Sequence, residues 1–292
     1  VKAAAQAAGY NLKLYHGTAG KPFYVFRQGA EGIHFGTLKQ ATERANTAQF
    51  NRQLDKTEYS GKDIKKNIFR FPDTARHKIL EDIANKNLLG LTQREINELY
   101  EIAFDDQPIP DRVFSNYVYT LDDTDTFRIS NMDMGVATDK RVVPAYVKAN
   151  NPMVFNADIG WWYPARLASV LINKINGEAD EVYDFRAHRD VSFDPQSITG
   201  IELTEADLPA LEKMQKNATD FSEMAEFLQS KGVDSIRYLN TYEGETNENS
   251  YILLSPEQIK SADTITYNDE GYIIPLSERF NPDDRDIRFS VS

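Results

Sequence analysis

Two amphipathic stretches stand inside a chain whose other apolar segments are mostly short. "RHKILEDIANKNLLG" aligns Ile79, Leu80, Ile83, Ala84 and Leu88 on one face, with Gly90 as its stop. "TQREINELYEIAF" follows with a Thr92/Glu95 capping box, and "DDQPIPD" breaks it. Near the start, "NLKLYH" instead sets Leu12, Leu14 and His16 against Lys13 and Tyr15, the two-residue period of a strand. The chain must therefore satisfy both periods, and α+β is the expected class.

Strand-like segments gather towards both ends. "FYVF" and "GIHF" precede a helix that Thr37 caps, with Gln40 at the capping-box position and Leu38, Ala41 and Ala45 on one face. "RVVPAYVKANNPMVF" reads as strand with a turn at Asn150-Asn151-Pro152. "VDSIRYLN" and "SYILL" are strands around the acidic loop "TYEGETNEN". "ADTITYNDEGYIIPL" reads as a hairpin turning at Asp269-Glu270-Gly271. Helices are expected at "PARLASVLINKING", at "LTEADLPALEKMQK" with a Thr204/Asp207 box, and at "DFSEMAEFLQSKG" with Asp220 as N-cap and Gly232 at the stop. We expect one domain over 1–292, a helical insertion or lobe over 51–217, and a polar tail or wrap over 276–292. Starting on Val1 with an Ala-rich run and no signal-peptide layout, the chain reads as a piece of a longer protein or a processed one.

Composition removes several classes. Cysteine is absent, which excludes a disulfide scaffold, a thiolate zinc site and a cysteine nucleophile. The net charge of −12 argues against nonspecific nucleic-acid affinity. No run approaches the ~18 apolar residues of a bilayer span, so no membrane role is expected. GxSxG, GxxxxGK[ST] and GxGxxG are all missing.

Histidine is scarce: His16, His34, His77 and His188 are the only four. No HExxH spacing occurs, so no metal site is expected. His77 is read as lying before a helix and His188 within charged "FRAHRD", both solvated. The first two sit in near-rhyming contexts, "LYHGT" and "GIHFGT". His16 reads either as a strand-end residue spending one hydrogen bond on packing, or as a rigid neutral imidazole beside a glycine that lets a flat ligand approach.

With "SIRYLNTYEGETNENSYILLSPEQIKSAD" near the other end, this set resembles the ADP-ribosyltransferase superfamily, and more closely the transferase domains of phage and prophage polyvalent proteins. The resemblance covers residues ~10–50 and ~220–290. It implies a split β-sandwich holding NAD in a cleft between two small sheets. It puts His16 on the ribose, the Gly17 backbone on the nicotinamide carboxamide and Thr18 at the turn. His34 stands where many relatives carry a tyrosine that stacks on nicotinamide, with Phe35 as a second candidate and Gly36 and Thr37 completing the motif. The catalytic acid is implied among Glu243, Glu245 and Glu248. Glu243 matches "N-x-x-E" after Asn240, and Ser250 occupies the slot where the wider superfamily has its glutamate. The implied activity is transfer of ADP-ribose to a macromolecular acceptor, by default a host protein, in a cytoplasmic chain or one delivered into a host by phage or secretion. An NAD glycohydrolase and a degenerate NAD-binding or virion-associated module are the alternatives.

Overall fold

The computed structural model describes residues 1–292 except 21, 106, 136–138, 185–187, 245–247 and 289–292. The chain divides into two compact units, Val1–Asn46 with Lys140–Ser292, and Thr47–Asp139.

The first unit is mixed α+β. Its strands are β1 (Leu12–Ala19), β2 (Ile33–Phe35), β5 (Lys140–Val147), β6 (Pro152–Phe155), β7 (Asp180–Asp184), β8 (Arg189–Phe193), β9 (Ser235–Leu239), β10 (Asn249–Leu253) and β11 (Ile259–Ser261). The second unit supplies β3 (Lys56–Ser60) and β4 (Thr126–Ser130). One sheet has the order β1-β5-β11 and another the order β2-β10-β9-β6. All their pairings are antiparallel except β6 with β9. The alternation in β2 explains how the two sheets meet. Ile33 and Phe35 turn one way and pack with Leu253, Ala145, Val147 and Ile259 into a shared apolar layer. His34 turns the other way, opposite Ile252 in the ladder.

Helices α7 (Pro164–Asn176), α8 (Leu208–Asn217) and α9 (Ser222–Ser230) bury Leu167, Leu171, Leu211, Met224 and Leu228 with Met153, Phe155, Ile236 and Ile252. This corrects the expected 51–217 insertion. Residues from 140 onwards belong to the first unit, because these helices complete the core of the four-stranded sheet. The second unit has its own core, where α4 (Asp73–Lys86), α5 (Gln93–Phe104) and α6 (Asp111–Val118) pack with Phe127 and Ile129 of β4. Its β3 was missed because "KTEYS" has no apolar alternation.

Smaller expectations shift as well. Helix α4 stops at a left-handed Asn87 with φ 45°, three residues before Gly90. His77 lies inside α4, and its Nδ1–H donates to the Ala103 carbonyl over 2.9 Å. "FYVF" forms no strand; only Val25 bridges, to Asp286. Phe221 takes the α9 N-cap, with Asp220 accepting from the Ser222 N–H. The expected hairpin forms in short form, with Tyr267 bridging Ile273, Asn268 N–H donating to the Tyr272 carbonyl and Ile274 N–H to the Thr266 carbonyl around the expected turn. The expected tail is a wrap through residue 288: Phe280 and Ile287 are buried, and Lys260 Nζ donates to the Asp284 and Asp286 carbonyls.

The first sequence rhyme has a packing cause. Helix α2 (Leu38–Leu54) starts at the expected box, where the Thr37 N–H donates to Gln40 Oε1 over 2.8 Å and the Gln40 N–H to Thr37 Oγ1 over 3.3 Å. Its Ala41 and Ala45 lie against β1 so closely that a Cβ on Gly17 would meet the Ala41 carbonyl oxygen at 1.9 Å. A Cβ on Gly36 would meet Gln40 Oε1 at 2.2 Å. Between them, Tyr15 and Gly36 exchange two backbone hydrogen bonds of 2.9 Å, joining the two sheets.

Gly17→Ala is therefore expected to destabilise the chain by ~3 kcal/mol, at the upper end of typical overpacking costs, since backbone and not a side chain obstructs it. Gly29→Ala, whose added carbon meets only the Gly32 oxygen at 3.9 Å, should be nearly neutral. Urea unfolding of the two variants checks this.

Candidate functional site

A cleft of about 320 Å³ opens where the two sheets are joined. β1 contributes Tyr15, His16 and Gly17, and β2 with its neighbour contributes His34, Phe35 and Gly36. Helix α2 adds Gln40, Ala41 and Arg44, the i, i+1 and i+4 positions of one face. The β9–β10 connection brings Asn240, Tyr242 and Glu243. The first histidine and the first-choice glutamate thus face one crevice although 227 positions (243 − 16) separate them.

The two imidazoles are wired differently. His16 Nδ1–H donates to the His34 carbonyl over 2.7 Å. Its ring lies edge-on to Phe26 at 5.1 Å and near Phe35 at 5.5 Å. A carbonyl can only accept, so neutral His16 keeps its lone pair on Nε2. His34 spends both nitrogens: Nε2–H donates to the Glu31 carbonyl over 2.8 Å, and Nδ1 accepts from the Tyr238 hydroxyl over 3.1 Å. Burial holds both rings neutral, lowering His16 below its usual range and His34 to about 4.

Glu243 is held from two sides. Asn240 Oδ1 accepts the Tyr242 and Glu243 N–H groups at 2.9 Å each, fixing the turn, while its Nδ2 donates to Glu243 Oε2 over 3.0 Å. The same Nδ2 donates to Ser250 Oγ, whose hydroxyl donates on to Gln40 Oε1. Burial raises the Glu243 carboxyl, against the Asn240 bond and the Arg44 charge, whose Nε lies 4.0 Å from Oε1. Two further carboxylates share the cleft. Asp158 accepts from the Gly160 N–H, Trp162 Nε1–H and Thr241 N–H, and burial still lifts it to about 6. Burial likewise raises Glu31. Perturbed acids clustered in a concave pocket make this cleft the candidate functional site.

Some expected residues lie elsewhere. Thr18 sits in the β1–β5 ladder opposite Arg141 and does not line the cleft. Thr37 caps α2, and its Oγ1 donates to Glu248 Oε2 over 3.0 Å, so Glu248 is bound beside the helix start and away from the cleft lining. Glu245 lies outside the described residues. Phe35 touches the cleft, but its side chain is 2% exposed and belongs to the inter-sheet core.

Arg44, Glu31, Asp158, Trp162, Tyr163 and Tyr238 were not foreseen. Arg44 follows from the face that Gln40 defines. "DIGWWY" held the Asp158–Trp162 pair, but nothing in its spacing tied it to Glu243. Among the described residues no cluster of three or more histidines and carboxylates is placed to hold a metal ion. No helix among them is long and apolar enough to cross a membrane. No protein-family model, curated protein or solved structure matches the chain.

Because His34 falls from 6.5 to about 4 on folding, it favours the folded state above pH 6.5, and that contribution is lost as pH falls through about 4. At ~1.4 kcal/mol per unit the change amounts to at most ~3.5 kcal/mol. Subtracting the stability–pH profile of His34→Gln from that of the parent should isolate it. A ring proton of His34 should titrate by NMR with a midpoint near 4.

Proposed function

We propose that this chain is an NAD-dependent mono-ADP-ribosyltransferase with the split-sandwich architecture of that superfamily. The observation that carries the reading is the convergence of His16 and Glu243 on one cleft at the junction of two sheets. His16 Nε2 accepts from a ribose hydroxyl, while the Gly17 main chain meets the carboxamide. Tyr163 and Tyr242, 44% and 52% exposed, offer faces for nicotinamide beside His34, whose two in-plane hydrogen bonds fix the orientation of its ring.

Glu243 accepts from the ribose 2′-hydroxyl and stabilises the oxocarbenium character that grows at the anomeric carbon. The C1′–N bond breaks with its electron pair going to the nicotinamide nitrogen, which leaves neutral. An acceptor lone pair forms the new bond to C1′, and its proton passes to a cleft carboxylate or to water. The leaving group carries its own positive charge, so the scheme needs no metal. The acceptor is a protein side chain, given the net charge of −12; a nucleic-acid acceptor is the less favoured case.

One observation favours a second reading. Ser250 fills the slot where the wider superfamily has its glutamate, and Glu248 is bound to Thr37. A module that binds NAD without turning it over fits that arrangement.

Nicotinamide release from NAD, with label transfer in a lysate, separates the outcomes. Glu243→Gln should slow release by about 100-fold, the usual loss for a transition-state stabiliser. Glu248→Gln should stay close to the parent. Release without labelled product assigns an NAD glycohydrolase, and binding without release assigns the second reading.

A further inference from the structure

A separate cavity of about 440 Å³ is bounded by the 22–24 segment, β5 and the wrap residues 261–267 and 287–288. Two polar atoms on its wall are buried without a hydrogen-bond partner: Arg141 Nε and Thr266 Oγ1. Thr266 is only 5% exposed, so water does not freely reach its hydroxyl. Buried polar atoms of this kind call for a missing partner. No carboxylate among the described residues lies within ion-pairing distance of Arg141, in a chain with 45 acidic and 33 basic residues.

The other charges on this wall are spoken for. Arg288 pairs with Asp269 and Asp286 and lies over the Tyr24 ring at 3.7 Å. Asp263 accepts from Ser261 Oγ, and its backbone carbonyl accepts from Arg279 Nη2. The rest of the lining is largely apolar, with Phe23, Val143, Ile265 and Ile287. A guanidinium edge and a hydroxyl donor inside an apolar pocket suit a planar monoanion with a non-polar body. A phosphate dianion is disfavoured by the Asp263 carboxylate in the lining and by Asp269 and Asp286, which already neutralise Arg288.

We propose that this cavity binds a small organic acid, its carboxylate on Arg141 and Thr266 and its apolar body against Phe23, Val143 and Ile265. The inference stands whether or not the cleft acts on NAD, because it rests on different atoms.

Methyl-labelled full-length protein titrated with 3-phenylpropanoate, 3-phenylpropanamide and the tripeptide Gly-Gly-Phe tests it. Saturable shifts of the Val143, Ile265 and Ile287 methyls are expected with the acid. Binding should weaken by about tenfold or more with the amide and in Arg141→Met, the loss expected for a charge-assisted hydrogen bond. Thr266→Val should weaken it several-fold, and Arg141→Lys should retain part of it. Unchanged methyl spectra away from the cavity certify that each variant is folded. Binding of the tripeptide alone also supports the proposal and assigns the carboxylate to a chain terminus. Equal shifts by acid and amide, undiminished binding in Arg141→Met, or no saturation by either carboxylate would overturn it.

Discussion

Two backbone hydrogen bonds between Tyr15 and Gly36 decide where the cleft can be. They tie the edge strand of one sheet to the end of a short strand in the other. His16 follows Tyr15 and His34 precedes Gly36 by two residues, so the tie sets one imidazole against the other's carbonyl. Helix α2 lies over the joint, and it can lie that low only because Gly17 and Gly36 lack a Cβ and Ala41 and Ala45 are small. The helix then delivers Gln40 and Arg44 to the floor and wall. The glycines after each histidine therefore act through packing, whatever the cleft binds.

A polar relay links that floor to the acidic loop. Thr37, Gln40, Ser250, Asn240 and Glu243 form a hydrogen-bonded series running from the cap of α2 to the carboxylate. Such a buried series orients its end group, although Gln40 Nε2 is buried within it without a hydrogen-bond partner. The carboxylates of Glu31, Asp158 and Glu243 are all pushed towards their protonated forms, and the two imidazoles towards their neutral ones. Burial thus works against the charged form of each of these groups.

Local signals in the chain were legible where local physics decides. The capping boxes at Thr37, Thr92 and Thr204, the Gly232 stop, and the strands at 235–239 and 249–253 all come from short-range rules, and they stand. The meeting of His16 with Glu243 was legible only through the combined "YHGT", "GIHFGT" and "SYILL" pattern. Long-range packing was not legible. The extent of the insertion depended on whether the apolar faces of α7 to α9 found the four-stranded sheet, and periodicity does not name a partner. Asp158 was hidden in part for the same reason: its Gly160 and Trp162 donors are local, but the Thr241 N–H that ties it to the acidic loop comes from far along the chain, and a lone aspartate in sequence does not announce it.

The segment from Tyr24 to Phe26 leans on the chain's far end. Ile287 N–H donates to the Tyr24 carbonyl, Val25 bridges Asp286, and Lys260 is folded under the same stretch. Phe26 in turn supports the His16 ring. During synthesis the first imidazole emerges some 270 residues before its backing is complete (287 − 16 = 271). A nascent chain halted short of that point carries the 24–26 segment without the Asp286 and Ile287 contacts that pin it.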